Sequence, residues 1–155
     1  MGCNWQDQGD RHMVNPKVDL QLLEQVLAGG NPDAVDAQSR NALMLALLYS
    51  NPGTVQELVR PSLIAGSRVK RKADLFHEDT EGRTALFYAA ERGDEQIIWL
   101  LLETLAGTGL ANQRGALLNV EDKDGRRAED WAERHGHHEI RAILNKERLR
   151  IDYFE

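Results

Sequence analysis

Two apolar stripes with helical spacing run through residues 79–103, DTEGRTALFYAAERGDEQIIWLLLE. The first, Ala85, Leu86, Ala89 and Ala90, recurs at intervals of one, three and four and consists mostly of small side chains, so a neighbouring backbone can come close to it. The second, Ile97, Ile98, Leu100, Leu101 and Leu102, is bulky. Polar residues punctuate the pattern. Asp79-Thr80-Glu81-Gly82 has turn chemistry, because Asp accepts local backbone hydrogen bonds and Gly tolerates positive φ. Thr84 is placed to cap the first helix, Gly93 to close it, and Asp94 and Glu95 suit the positive end of the second. Two such helices leave one broad apolar face in water, so the unit needs neighbours.

The neighbours are copies of it. An offset of 43 residues (36 to 79, 79 to 122) aligns three segments without a gap. It brings together Asp36, Asp79 and Asp122, then Ser39, Gly82 and Gly125, then Arg40, Arg83 and Arg126. The register continues through both helices, with Ala46, Ala89 and Ala132 in one column and Leu58, Leu101 and Leu144 in another. One period shared by a turn and two helices marks a repeat array in which each unit packs on its neighbours.

With those residues in view, GRTALFYAAERGDEQIIWLLL resembles the ankyrin repeat, whose pattern runs Gly-x-Thr-Pro-Leu-His-x-Ala-Ala, Gly-His, then an aliphatic second helix. DGRRAEDWAERHGHHEIRAILN (122–145) is similar to a degenerate copy, and DAQSRNALMLALLYSNPGTVQELV (36–59) to a weaker one. LLEQVLAGGNPDAVD (22–36) looks like the second helix and outgoing loop of a unit lacking its first helix. Ala replaces the family's Pro at 42, 85 and 128, and Met44, Phe87 and Asp130 replace its His. The family's unit is about 33 residues long, so the loops 60–78 and 103–121 each carry about ten extra residues. Sitting at the same place in the repeat, they are expected side by side on one edge, with Leu105, Leu110, Leu117 and Leu118 folded back over the second helices. The resemblance implies an all-α fold: an ankyrin-type solenoid of about three helix-turn-helix repeats with an N-terminal half-repeat. A C-terminal capping helix follows, for which Ile140, Ile143, Leu144, Leu149 and Ile151 supply the apolar side. Residues 1–17 read as a polar lead and 18–155 as the repeat domain.

Composition narrows the function classes. The chain has 155 residues, 41% hydrophobic and 28% charged, enough to bury a core. It contains no apolar run long enough to cross a membrane and no signal-peptide core after its polar start. The single cysteine, Cys3, cannot form a disulfide framework, which suits a cytoplasmic location. A net charge of −6 speaks against generic nucleic-acid binding. Gly2 and Cys3 raise acylation and a membrane-tethered scaffold, although the myristoylation motif wants Ser or Thr where Gln6 stands.

The resemblance also implies where a partner sits, since turn tips and the outer ends of first helices line a concave face in this family. Carried over residue by residue, the turns contribute Arg40, then Glu81 and Arg83, then Lys123, Asp124 and Arg126. The helix ends contribute Leu48 and Tyr49, Glu91 and Arg92, then Arg134 and His135; Trp131, at the variable position before Ala132, is either a packing residue or a further contact. Six cations, Arg40, Arg83, Arg92, Lys123, Arg126 and Arg134, face three acids, Glu81, Glu91 and Asp124. A relatively basic groove binding the acidic segment of a protein follows, arginine being suited to bidentate pairing with carboxylates. The competing reading of Arg40, Arg83 and Arg126 is that each pairs with an Asp of its own or an adjacent turn.

Catalytic chemistry is not indicated: the chain has no Gly-rich phosphate loop, HExxH, nucleophile elbow or Cys–His pair, and no cofactor is expected. ERHGHHE (133–139) could in principle hold zinc, but lacks the spacing of a zinc motif and overlaps the family's own Gly-His step. SRVKRK (67–72) is either a solvated loop or a basic contact for an acidic partner, a phosphate or a nuclear import factor. The chain reads as a non-catalytic binding module, working by occlusion as a small inhibitor, immunity factor or assembly chaperone.

Overall fold

The computed structural model describes residues 16–106 and 111–154. The polar lead up to Asn15, with Gly2 and Cys3, and Leu110 of the second insert lie outside the described residues. Eight α-helices are described: α1 Pro16–Leu27, α2 Ala42–Tyr49, α3 Pro52–Val59, α4 Ala85–Arg92, α5 Glu95–Ala106, α6 Ala111–Asn119, α7 Ala128–Arg134 and α8 His138–Phe154. They form two layers. The first helices of the units lie in a row, α2 on α4 and α4 on α7, with α1 packed on the outer side of α2. The second helices form the other layer, α3 on α5 and then α5, α6 and α8 in succession.

Local chemistry sets the helix starts. Asn41 Oδ1 accepts the Met44 N–H at 3.0 Å and Asn51 Oδ1 the Thr54 N–H at 2.9 Å, capping α2 and α3. Thr84 stands at the corresponding place before α4, yet its hydroxyl makes no cap bond. The Phe87 N–H that it would take donates to the Thr84 carbonyl instead, at 3.1 Å, closing a tight first turn. Gly93 ends α4 as expected, at φ +78° with its N–H on Ala89 O. The ring of His137 packs so closely there that a Cβ would sit 2.5 Å from it. Between its neighbours α2 is apolar all round, and Ala42 through Leu47 are all buried.

The three Asp-led turns stand in a row and are bonded to one another. Thr80 N–H donates to Gln38 O at 3.0 Å, and Lys123 N–H to Glu81 O at 2.9 Å. Within each turn the Asp closes the loop by bonding the residue four positions on: Asp36 with Arg40, Asp79 with Arg83, Asp122 with Arg126, at 2.9–3.1 Å from N–H to O. The fourth residue of each turn is left-handed, Gly82 at φ +79° and Gly125 at +76°, but Ser39 at +62° in the first.

The inserts differ from one another in structure. The second is helical over α6, with Leu105, Leu117 and Leu118 in the core. Among the described residues the two inserts meet only at their near ends, where Arg60 Nε lies 3.3 Å from Thr104 Oγ1. The first reaches back along the stack, where Arg71 pairs with Asp33 and the Arg68 carbonyl lies against Gly29. The second reaches forward, with Arg114 3.6 Å from Glu147 and Gly115 packed on Ile151. In α8 the buried stripe is Ile140, Leu144, Glu147 and Ile151, whereas Leu149, expected on it, is 40% exposed because it falls off the four-three-four spacing. The half-unit is present as α1, which buries Leu23 and Val26 and leans chiefly on α2.

A β-carbon in the left-handed region costs roughly 1–2 kcal/mol, offset by glycine's larger loss of chain entropy of roughly 0.5–1 kcal/mol. Ser39→Gly is therefore expected to raise unfolding free energy by about 0.5 kcal/mol. Gly82→Ser should lower it by about 0.5 kcal/mol through the left-handed φ alone, since its Cβ would meet Asp122 Cα at an ordinary contact distance of 3.4 Å. Urea midpoints for both variants check the pair.

Candidate docking site

Each turn aspartate divides its two oxygens between two tasks. Oδ1 accepts two backbone N–H groups of its own turn: Gln38 and Arg40 for Asp36, Glu81 and Arg83 for Asp79, Asp124 and Arg126 for Asp122, all at 2.8–3.0 Å. Oδ2 is taken by a different donor in each copy. Tyr88 Oη donates to Asp79 at 2.5 Å and Trp131 Nε1 to Asp122 at 3.0 Å. These donors occupy the same repeat position, which in the first unit is Leu45 and has nothing to donate. There Arg40 folds inward instead, with Nε 2.7 Å from Asp36 Oδ2. Arg40 is 0% exposed, so it braces the turn and offers nothing to a partner.

The ends of the first helices are stitched in the same direction. Arg92 Nη1 donates backwards to the carbonyls of Ser50 at 2.6 Å and Leu47 at 3.2 Å, satisfying the C-terminus of α2. One period later His135 places Nε2 3.3 Å from Glu91 Oε1 and Nδ1 2.9 Å from the Trp131 carbonyl. His137 Nε2 lies 3.0 Å from the Glu91 carbonyl and, because a carbonyl only accepts, carries the hydrogen.

These bonds redraw the expected groove. Arg40 and Arg83, read as surface cations, are buried; Arg83 stands beside Asp79 with its guanidinium 4.8 Å from the Trp131 ring centre. Trp131, open in the sequence to packing or to a partner contact, is only 4% exposed, its indole covered by Arg83, by Arg134 at 5.6 Å and by a stacked His135 ring at 5.2 Å. Burial and the bond to Asp122 make it a platform for its neighbours instead of a contact. Arg92 is half-buried in its capping role. What remains open on the expected face is Glu81, Lys123, Asp124 and Arg134, with Tyr49, Arg126 and His135 half-buried. The donors Tyr88 and Trp131 were legible in principle, being one period apart, but their role depends on knowing that the Asp side chain turns inward.

A family model described as ankyrin repeats (3 copies) matches residues 13–109 and, in a second overlapping placement, residues 61–153. The chain belongs to the ankyrin-repeat family. Ankyrin repeats are in general protein–protein interaction modules and typically not enzymes. In this ankyrin array the family's His position is used in a distinct way: Asp130 Oδ2 accepts the Arg127 N–H at 2.9 Å, so it caps α7 from inside. Among the described residues no three of His, Cys, Asp and Glu come together as a metal site, the histidines of 135–138 being divided between Glu91, Trp131 and the exposed start of α8. No described helix is long and apolar enough to cross a membrane.

Burial first, and then the adjoining Asp79 carboxylate, push the Tyr88 phenol far above its ordinary 10.0. The unfolded chain ionises near that ordinary value while the folded chain keeps its proton. The contribution is therefore complete below pH 10 and is lost as pH rises above it. Wild type should lose stability above pH 10 more steeply than Tyr88→Phe, by about 1.4 kcal/mol per pH unit. At pH 7 the variant should be less stable by ~1–2 kcal/mol, with one carboxylate oxygen left short of a donor. Denaturant titrations of both proteins from pH 7 to 11 measure the two effects.

Proposed function

We propose that this ankyrin array binds an acidic segment of a protein partner along the face formed by the turn tips and first-helix ends, without covalent chemistry. The observation that carries the reading is the ladder itself: turn tips joined backbone to backbone, each fixed by an Asp, give a preordered surface that loses little conformational entropy on docking. Lys123, Arg126 and Arg134 supply the accessible positive charge of the third unit, with Tyr49 and His135 as half-buried aromatic flanks. With Arg40, Arg83 and Arg92 drawn into internal bonds, the recognition set is centred on the C-terminal half of the face. Arg134, held over the Trp131 ring, is the cation there with the firmest support. A module of this kind acts by occlusion, covering a site on its partner as an inhibitor, immunity factor or chaperone in the cytoplasm.

The choice of test variant follows from the structure. Reversing Arg83 or Arg92 would set a carboxylate beside Asp79 or beside the carbonyls of α2, damaging the fold instead of the surface. Lys123→Glu with Arg126→Glu changes an exposed and a half-buried cation. Affinity capture with quantitative mass spectrometry should show the wild-type partner reduced at least tenfold, with the loss moderated at high salt. Equal capture by both proteins would refute the assignment of this face.

A further inference from the structure

A second surface is formed by residues that the ladder does not use. The stretch from Arg60 to Lys72 holds five cations, Arg60, Arg68, Lys70, Arg71 and Lys72, and not one acid, in a chain whose net charge is −6. The structure gathers most of this charge at one place. Arg60, Lys70, Arg71 and Lys72 line a cleft of about 740 Å³ between the end of α3, the short 3-10 helix Pro61–Leu63 and the last turns of α5. None of the cleft's residues belongs to a turn or to a first helix. The half-buried Pro61 and Val69 supply a short apolar strip above the buried Val59, and Glu103 is the one carboxylate on the lining.

We propose that this cleft is a second docking site, taking an acidic stretch of a protein independently of the turn-tip face. The state of its donors argues for spaced carboxylates over a single phosphate. Arg60 Nε is engaged by Thr104 Oγ1 at 3.3 Å, Ser67 Oγ donates to Glu57 at 3.0 Å, and Arg71 is paired with Asp33. Lys70 and Lys72 are exposed, and neither has an ion pair among the described residues. Two long ammonium arms over an apolar strip make a poor rigid cradle for one compact anion, whereas they reach separate side chains along a peptide. The volume falls within the range of about 300–1,000 Å³ typical of ligand clefts, room for several residues. Because the cations are strung on an insert absent from the ordinary unit, the site is a property of this chain's loop, not of its repeats.

The probe is a fluorescein-labelled hexaglutamate peptide, followed by anisotropy on the full chain at 50 and 200 mM salt. Wild type should bind it, more weakly at the higher salt. Lys70→Glu with Lys72→Glu should weaken binding at least tenfold at unchanged thermal midpoint, since both side chains are exposed. Glu103→Gln, which removes the opposing charge, should tighten it two- to threefold. Lys123→Glu with Arg126→Glu should leave it within twofold. No binding, or loss confined to the Lys123/Arg126 variant, would overturn the cleft. So would stronger binding of a ten-nucleotide RNA, or complete displacement by inorganic phosphate at equal charge. The two sites fail separately: partner capture that ignores Lys123 and Arg126 refutes the turn-tip face, and peptide binding that ignores Lys70 and Lys72 refutes the cleft.

Discussion

A single carboxylate oxygen in each repeat holds the turn in shape, and the rest of the molecule is arranged around it. Asp36, Asp79 and Asp122 each take two backbone N–H groups on Oδ1. An aspartate does this because its acceptor is short enough to reach its own backbone two and four residues on. The closed turns then have a free N–H and a free C=O at their tips, which join one turn to the next. Removing the Asp would leave two turn amides without partners and loosen the link to the next copy.

The other oxygen explains why three nearly identical turns have different surroundings. A buried carboxylate oxygen needs a donor, and the nearest column of the repeat offers Tyr88 and Trp131 but only Leu45. The first unit answers with Arg40, whose guanidinium is thereby withdrawn from the surface. The same accounting applies to Arg92, which meets the carbonyls at the end of α2. Positive charge that looks superficial in the sequence is largely internal in the units nearer the N-terminus, and this is what shifts accessible charge toward Lys123, Arg126 and Arg134 on one layer and toward the 60–72 insert on the other.

The period of 43, the turn residues and the small-residue stripes could be read directly because they are local and repeated: Gly82 and Gly125 mark left-handed positions, and Ala85, Ala89 and Ala90 mark close approach. The α6 insert could not. Its sequence has no apolar stripe of helical period and includes Gly115, and it is held as a helix by α5 and α8, which bury Leu117 and Leu118. The same docking explains Glu147, an acid within the buried stripe of α8, which meets Arg114 from α6 and Arg150 from its own helix. The candidate site was half legible. Its positions follow from the repeat, but exposure depends on which arginines find internal acceptors, and that requires distances between units.

The most direct measurement is amide hydrogen exchange at Thr80 and Lys123. Both side chains are exposed, and each residue lies in a turn instead of a helix, so nothing local protects their N–H groups. If the turns are bonded tip to tip, these two amides exchange only with opening of the array, as slowly as hydrogen-bonded core amides such as Ala89 and Ala90 of α4. Exchange of Thr80 and Lys123 at the rate of free loop amides, with the helices still protected, would contradict the ladder and with it the preordered face.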